Sequence, residues 1–242
     1  MLTLLTLSVY QDVFDQFVRS YFHYRHGDLT HSAVIVCPSQ LKVPPVFAKV
    51  WEPEGGGLPA KLNAGMRSTI GDLFVVADDA QFTHYRTMDI LDQIAYSDPK
   101  IGMVFPLIDG GIGDDTFRVG KGNPELADTL TAYGVAAFIK REALDAVGGW
   151  DEDYPWFGWE DIDFGLRVLQ AGYRCVVTNK VVMKHGFGDM PCGTTVERKG
   201  GLRLEINQGV FENKWRGKLD WLTPIEPSNP TTAVLCRLQQ GH

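Results

Sequence analysis

Apolar residues recur along the chain in two periods, and the period changes at glycines and prolines. Leu2–Val9 is apolar enough to predict a buried strand. Behind it, apolar positions at 13, 14, 17, 18, 21 and 22 form the stripe of an amphipathic helix, with Asp12 as its cap and Gly27 as its stop. Ser32–Cys37 (SAVIVC) predicts a second buried strand that Pro38 ends, and Val46–Trp51 a third short one. Strand, short helical crossover and strand predict an α/β fold that opens with parallel strands.

The same alternation continues. Gly55, Gly56 and Gly57 make a flexible turn within Glu52–Leu58, and Pro59–Ser68 reads as helix, closed by Gly71. Leu73–Ala77 (LFVVA) is the most strand-like segment and runs straight into Asp78 and Asp79. Carboxylates at the C-terminal end of a central parallel strand stand where α/β sheets hold ligands; the competing reading is a solvated turn or a helix cap. Helix is expected over Tyr85–Ala95 and strand over Ile101–Phe105. Asp109–Asn123 is rich in Gly and Asp and predicts a mobile surface loop, with a substrate lid as the alternative. It carries neither a P-loop nor a dinucleotide fingerprint. Tyr133–Lys140 reads as strand and Arg141–Val147 as a short helix ended by Gly148 and Gly149. Glu160–Gln170 reads as a helix with Ile162, Leu166 and Leu169 on one face, stopped by a left-handed Gly172. Arg174–Thr178 and Val181–Lys184 follow as two strands, and Asn207–Trp215 as a last helix. Pro224–Pro230 can continue neither a helix nor a central strand, so the tail is expected to be a loosely docked extension.

Composition narrows the class. The 242 residues are 44% hydrophobic and 22% charged, which suits one globular domain of ordinary burial. With a net charge of -7 and no Lys/Arg-rich run, nothing in the chain argues for electrostatic binding of nucleic acid. Cys37, Cys175, Cys192 and Cys236 have no CxxC spacing, and the first two lie in apolar runs. They read as reduced cysteines, at least two of them buried, which points to a cytoplasmic setting. Met1–Val9 lacks a basic start and a cleavage site, and is too short for a signal peptide or a membrane span.

The chemistry gathers between Gly148 and His185. Trp150, Trp156, Phe157 and Trp159 are interleaved with acids at 151, 152, 153, 160, 161 and 163. Aromatic plates beside carboxylates suit a sugar, whose apolar ring face needs a flat partner and whose hydroxyls need strong acceptors. Trp150 reads as an ordinary core aromatic.

Several separated stretches then match one pattern. Gly57–Asp79 (GLPAKLNAGMRSTIGDLFVVADD), Tyr133–Asp163 (YGVAAFIKREALDAVGGWDEDYPWFGWEDID) and Ala171–His185 occur in the order found in family 2 glycosyltransferases. Asn207–Trp215 (NQGVFENKW) is similar to a common C-terminal end of that domain. The chain resembles this family, whose fold is GT-A: a Rossmann-like, mixed but mainly parallel sheet flanked by helices. The tryptophan-rich GWED motif is also similar to galactosyltransferase-type members. The resemblance implies a GT-A domain over 1–206, with a C-terminal helix and tail over 207–242 packed on it. It implies inverting transfer by direct displacement from a nucleotide-sugar donor, a UDP-sugar foremost, to a glycan or other hydroxyl-bearing acceptor.

Such transfer needs charge stabilisation on the leaving diphosphate and a carboxylate to take the acceptor proton. The resemblance implies that Asp161, the Asp of the ED motif, is the general base. Its other reading is a helix-start carboxylate, and the two are compatible. Glu160 is implied in acceptor contact or capping, as is Asp163, and Trp156 and Trp159 as sugar platforms. Asp78 would hold the ribose or donor sugar, and Asp79 and His185 a divalent ion, Mn²⁺ or Mg²⁺. The family's third acidic position holds Ala80 here, which removes one expected metal ligand. Ser8 and Tyr10 stand at the end of the first strand, where Tyr10 could stack on the base. Lys61 and Asn63 match the family's donor-side helix. Cys37-Pro38-Ser39 replaces the family's base-reading Asp, so the base stays open. Two other functions compete: a catalytically degenerate nucleotide-sugar or glycan-binding protein of the same fold, and nucleotidyl transfer to a sugar phosphate. The second usually needs a Gly-rich basic segment after the first strand, where this chain has SVYQDVFDQF.

Overall fold

The computed structural model describes residues 1–25, 31–109, 125–130, 134–187, 190–191, 204–227 and 230–242. Gly27, Cys192 and most of the Asp109–Asn123 loop lie outside the described residues.

The ten strands among the described residues are β1 (Leu2–Leu7), β2 (Ser32–Cys37), β3 (Phe47–Trp51), β4 (Asp72–Ala77), β5 (Ala80–Phe82), β6 (Ile101–Asp109), β7 (Leu126–Asp128), β8 (Ala136–Ile139), β9 (Arg174–Phe187) and β10 (Met190–Pro191). The helices are α1 (Gln11–Tyr24), α2 (Leu58–Met66), α3 (Thr87–Ala95), α4 (Arg141–Val147), α5 (Glu160–Gln170), α6 (Leu204–Trp215) and α7 (Pro230–Gln239). The sheet order is β10-β9-β6-β8-β4-β1-β2-β3, with β5 and β7 added onto β9. β3, β2, β1 and β4 run parallel, β8 is antiparallel to both β4 and β6, and β6 is parallel to β9. The expected mixed, mainly parallel sheet is therefore present.

Strand periodicity explains the layers. In β4, Phe74 and Val76 enter one core with Phe14, Phe17 and Tyr21 of α1 and Met88 and Leu91 of α3. Leu73 and Val75 enter the other, with Leu62 of α2, Leu144 of α4 and Phe164 and Val168 of α5. A sheet covered on both faces needs apolar residues at both parities, which is why LFVVA shows a run rather than an alternation.

Three expectations need correction, and one helix face has a destination the sequence left open. Asp12 is not the cap of α1: Tyr10 occupies that position, and Asp12 lies in the first turn, where the helix dipole favours it. Arg174–Lys184 is one strand, not two; the polar Asn179-Lys180 step lies beside a register shift between Pro106 and Leu107, and pairing resumes beyond it. The apolar face of α5 that the sequence marks (Ile162, Leu166) does not meet the sheet. It packs on the C-terminal helices, while Phe164 and Val168 face the sheet. The tail is not loosely docked. Val234, Leu235 and Leu238 of α7 close a third core with Phe211, Trp215, Leu219, Leu222 and Ile225 around Tyr154 and Trp159. Gly172 does adopt the expected left-handed conformation, at φ 91°. No described helix is long and apolar enough to cross a membrane.

Candidate active site

Register assembles the first half of the site. Leu7 pairs with Val36 on one side and with Ala77 on the other, so β1, β2 and β4 end together. Ser8 and Asp78 each follow the last residue of their strand. Ser8 Oγ donates to Asp78 Oδ2 at 2.5 Å, and both side chains are buried. Tyr10, half-buried at the start of α1, lies two residues on from Ser8.

Asp78 and Asp79 form a tight turn into β5, which pairs antiparallel with β9 so that Ala80 faces His185. Asp79 Oδ1 lies 3.2 Å from His185 Nε2, and the Gly186 amide donates to the Asp79 carbonyl at 2.7 Å. Strand pairing alone thus joins residues more than a hundred positions apart. Among the described residues no group of three or more His, Cys, Asp or Glu side chains gathers as a complete metal cage. One carboxylate and one imidazole do fit a hard cation whose remaining ligands are phosphate oxygens and water. Ala80 contributes a methyl group where a third acid would stand.

A loop rather than a strand end makes the second half. Gly158 and Trp159 are both left-handed, at φ 85° and 70°, and Trp159 is the cap residue of α5. A tryptophan in that conformation is strained, and the strain is held by packing. Its indole is 8% exposed and lies 4.9 Å from the ring of Phe211. Trp159 is therefore a core aromatic rather than an open sugar platform. Trp156 remains half-buried, at the turn itself. Trp150 stacks on Phe164 at 4.6 Å, as a core residue.

Asp161 is half-buried in the first turn of α5. Its Oδ2 accepts from the Gly134 amide at 2.7 Å and its Oδ1 from the Ile162 amide at 2.8 Å. Burial pushes its carboxyl up to about 6, against the lowering effect of those amides. Glu160 is 4% exposed, and its Oε2 has no hydrogen-bond partner among the described residues. Burial first, and then the charge of Asp161, hold the Glu160 carboxyl well above the usual range. Two neighbouring acids that resist losing both protons are the arrangement that leaves one of them a base near neutrality. Glu160 thus lies buried beside Asp161. Asp163, fully buried, bonds Arg167 Nε at 2.8 Å, Lys214 Nζ at 2.7 Å and Trp215 Nε1 at 2.8 Å. It fastens α5 to α6, and no acceptor can reach it.

One short segment connects the halves. The Gly134 amide binds Asp161, and the carbonyl of the next residue, Val135, accepts from the Ala77 amide at 2.8 Å. Asp161 is thereby tied to the strand that ends in Asp78 and Asp79.

The two α2 residues expected on the donor side divide. Asn63 is 5% exposed; its amide donates to the Trp150 carbonyl at 2.8 Å and to Glu152 Oε1 at 2.9 Å, and accepts from the Trp150 amide at 2.9 Å. It is committed to holding the Gly149-Trp150 turn, which corrects its reading as a donor contact. Lys61 is ion-paired with Glu52, both partly open to solvent. The Glu52 amide bonds the Cys37 carbonyl at 3.1 Å, so this pair stands at the same strand-end edge as Ser8 and Asp78. Sequence reasoning passed over Glu52; its place directly after a predicted strand was the available signal. It also passed over Asn207 of α6, described below, for which the sequence holds no local signal.

No family model and no curated protein sequence matches the chain. Solved structures do. The mannosyltransferase PcManGT from Pyrobaculum calidifontis, in complex with GDP-Man and Mn²⁺, superposes with a TM-score of 0.69 at 17% identity over 98% of this chain and 69% of its own. GalNAc-T7 with UDP, GalNAc and Mn²⁺ gives 0.63 at 12% identity, over 99% and 54%. S. aureus TarS gives 0.57 at 12% identity, over 91% and 44%. The chain thus spans about half the length of the last two proteins. At these identities the likeness is one of architecture: the chain has the GT-A fold.

Proposed function

We propose that this protein is an inverting, metal-assisted glycosyltransferase that moves a sugar from a nucleotide-sugar donor, a UDP-sugar foremost, to an acceptor hydroxyl. The observation that carries the reading is the Asp161 carboxylate. It is raised to about 6, fixed by two backbone amides, and tied through Gly134-Val135 to the Asp78-Asp79 strand end. A base with that affinity for protons is ionised at neutral pH yet still takes a proton as a hydroxyl reacts.

In this reading Ser8 and Asp78 hold the ribose or donor sugar, Tyr10 stacks on the base, and Lys61 turns from Glu52 to the phosphates. Asp79 and His185 hold Mn²⁺ or Mg²⁺, which when bound offsets the charge gathering on the diphosphate. Trp156 supports the acceptor ring. Asp161 takes the proton from the acceptor hydroxyl as that oxygen bonds to the anomeric carbon from the face opposite the diphosphate. The bond between that carbon and the diphosphate oxygen breaks, and its electron pair leaves with the diphosphate. The ligands bound by two fold neighbours, GDP-Man in one and UDP and GalNAc in the other, support the donor class.

Ala80 favours a second reading, a nucleotide-sugar or glycan-binding protein without turnover, because it leaves two candidate metal ligands rather than three. One experiment separates the two. Thermal midpoints are measured with UDP, GDP and other nucleoside diphosphates, with and without Mn²⁺, followed by diphosphate release from the matching nucleotide sugar. A ligand that binds only the folded protein raises the midpoint according to its affinity. A Mn²⁺-dependent rise with one diphosphate, plus release, is the expected result. A rise without release under any metal supports the binding protein, and no rise overturns both readings.

A further inference from the structure

The acceptor loop is held from a helix that begins 45 residues after it. Trp156 to Trp159 form no regular hydrogen-bonded structure, so their backbone groups need partners from elsewhere. Asn207 of α6, fully buried, supplies two. Its Oδ1 accepts from the Trp156 amide at 3.2 Å, and its Nδ2 donates to the Gly158 carbonyl at 2.8 Å. A primary amide offers both a donor and an acceptor, so one side chain brackets the turn as a neighbouring strand would. Neighbouring turns of α6 continue the grip. A Cβ on Gly158 would meet Leu204 Cδ2 at 2.3 Å, Phe211 lies under Trp159, and Lys214 and Trp215 bond Asp163. Residues 204, 207, 211 and 215 fall three to four apart, on one helix face.

We infer that Asn207 is a positioning residue for acceptor recognition: by fixing the Trp156–Gly158 turn, it sets the place of Trp156 against the acceptor relative to Asp161. The inference rests on the transferase reading for its function and on the two hydrogen bonds for its structure.

The test has two arms, on Asn207→Ala and the near-isosteric Asn207→Asp. The latter keeps the acceptor for the Trp156 amide but loses the donor to Gly158. Amide hydrogen exchange is followed over 155–160, with α7 as internal reference. Both variants are expected to speed exchange there at least tenfold relative to α7. For catalysis, the readout is the ratio of transfer to hydrolysis, using the nucleotide sugar found active above and a panel of methyl glucoside, galactoside, mannoside and N-acetylglucosaminide. Asp161 serves water and sugar hydroxyl alike, and the ratio is independent of the folded fraction. It is expected to fall at least tenfold with the donor KM unchanged. Leu235→Ala, which opens the same core from α7, controls for stability and is expected to leave the ratio alone. Unchanged exchange overturns the clamp. Faster exchange with an unchanged ratio makes Asn207 structural only and overturns the inference. Wild-type protein that neither hydrolyses nor transfers overturns the transferase reading and with it the functional half of the inference, while the exchange arm still decides the clamp.

Discussion

The two acidic halves of the site are built in opposite ways. Ser8, Asp78, Asp79 and His185 stand at or beside strand ends, and sheet register alone brings them together. Asp161 follows two consecutive left-handed residues in a loop without strand or helix pairing, held by Gly134 in front and α6 behind. A register cannot drift by a fraction of a residue, because a one-residue slip would exchange every side chain between the two cores. A loop has no such discrete positions, and its geometry is as good as the side chains that bracket it. The first half should therefore respond mainly to changes at its own residues, and the second also to changes far from the chemistry.

The largest effect should come from Asp161→Asn. Removing a general base costs about 10²- to 10⁴-fold in turnover. The fold should persist, since the substitution neutralises a half-buried charge and keeps an acceptor for one of the two amides, Gly134 or Ile162, that bind Asp161. Steady-state rates beside circular dichroism check this, and normal turnover by the variant would remove Asp161 from the mechanism.

Asp163→Ala should sharpen the contrast in stability. It removes the fully buried carboxylate that Arg167, Lys214 and Trp215 share, leaving Lys214 to Asp151 alone, a loss of about 3–5 kcal/mol. The same change at the exposed Glu125–Lys180 pair should cost about 0–1 kcal/mol. Urea denaturation of the two variants measures the difference, and equal losses would mean that α6 does not hold the second half.

The smallest and most specific effect is in pH. Asp161 binds its proton more tightly when folded, at about 6, than at its ordinary value of 3.8. Its contribution to stability is therefore present below about 3.8 and is lost as pH rises through about 6, while activity should rise over the same window. Buried Glu160 acts in the same direction. Midpoints and kcat/KM from pH 4 to 8 should show opposed slopes, and Asp161→Asn should flatten the stability slope that belongs to this residue. Parallel slopes would contradict the assignment.

Much of the first half was legible in the sequence, and for one reason. The run Leu73–Ala77 announces a doubly covered strand, so the acids that follow must sit at its end. Phe74 and Leu73 entering opposite cores shows why the run had to be continuous. The second half was legible in composition but not in geometry. The same cluster of Trp and acid supplies a base candidate (Asp161), a core ring (Trp159), a half-buried ring (Trp156) and a structural anchor (Asp163), and nothing local distinguishes them. Asn63 was misread for the same reason: its match to a motif is a property of the helix, whereas its three hydrogen bonds run to residues about 90 positions away.

The sequence by itself determined β1 to β4, β6, β8 and α1 to α6, the left-handed stop at Gly172 and the placement of Asp78-Asp79 at a strand end. Those follow from periodicity and backbone sterics, which act over a few residues. Only the tertiary structure decided that Ala80 faces His185, that Gly134-Val135 joins Asp161 to the Asp78 strand, and that Asn207 brackets the turn before Asp161. Those depend on which buried polar groups find each other once the cores have closed. Water satisfies the same groups in the unfolded chain, so no local pattern in the sequence has to mark them.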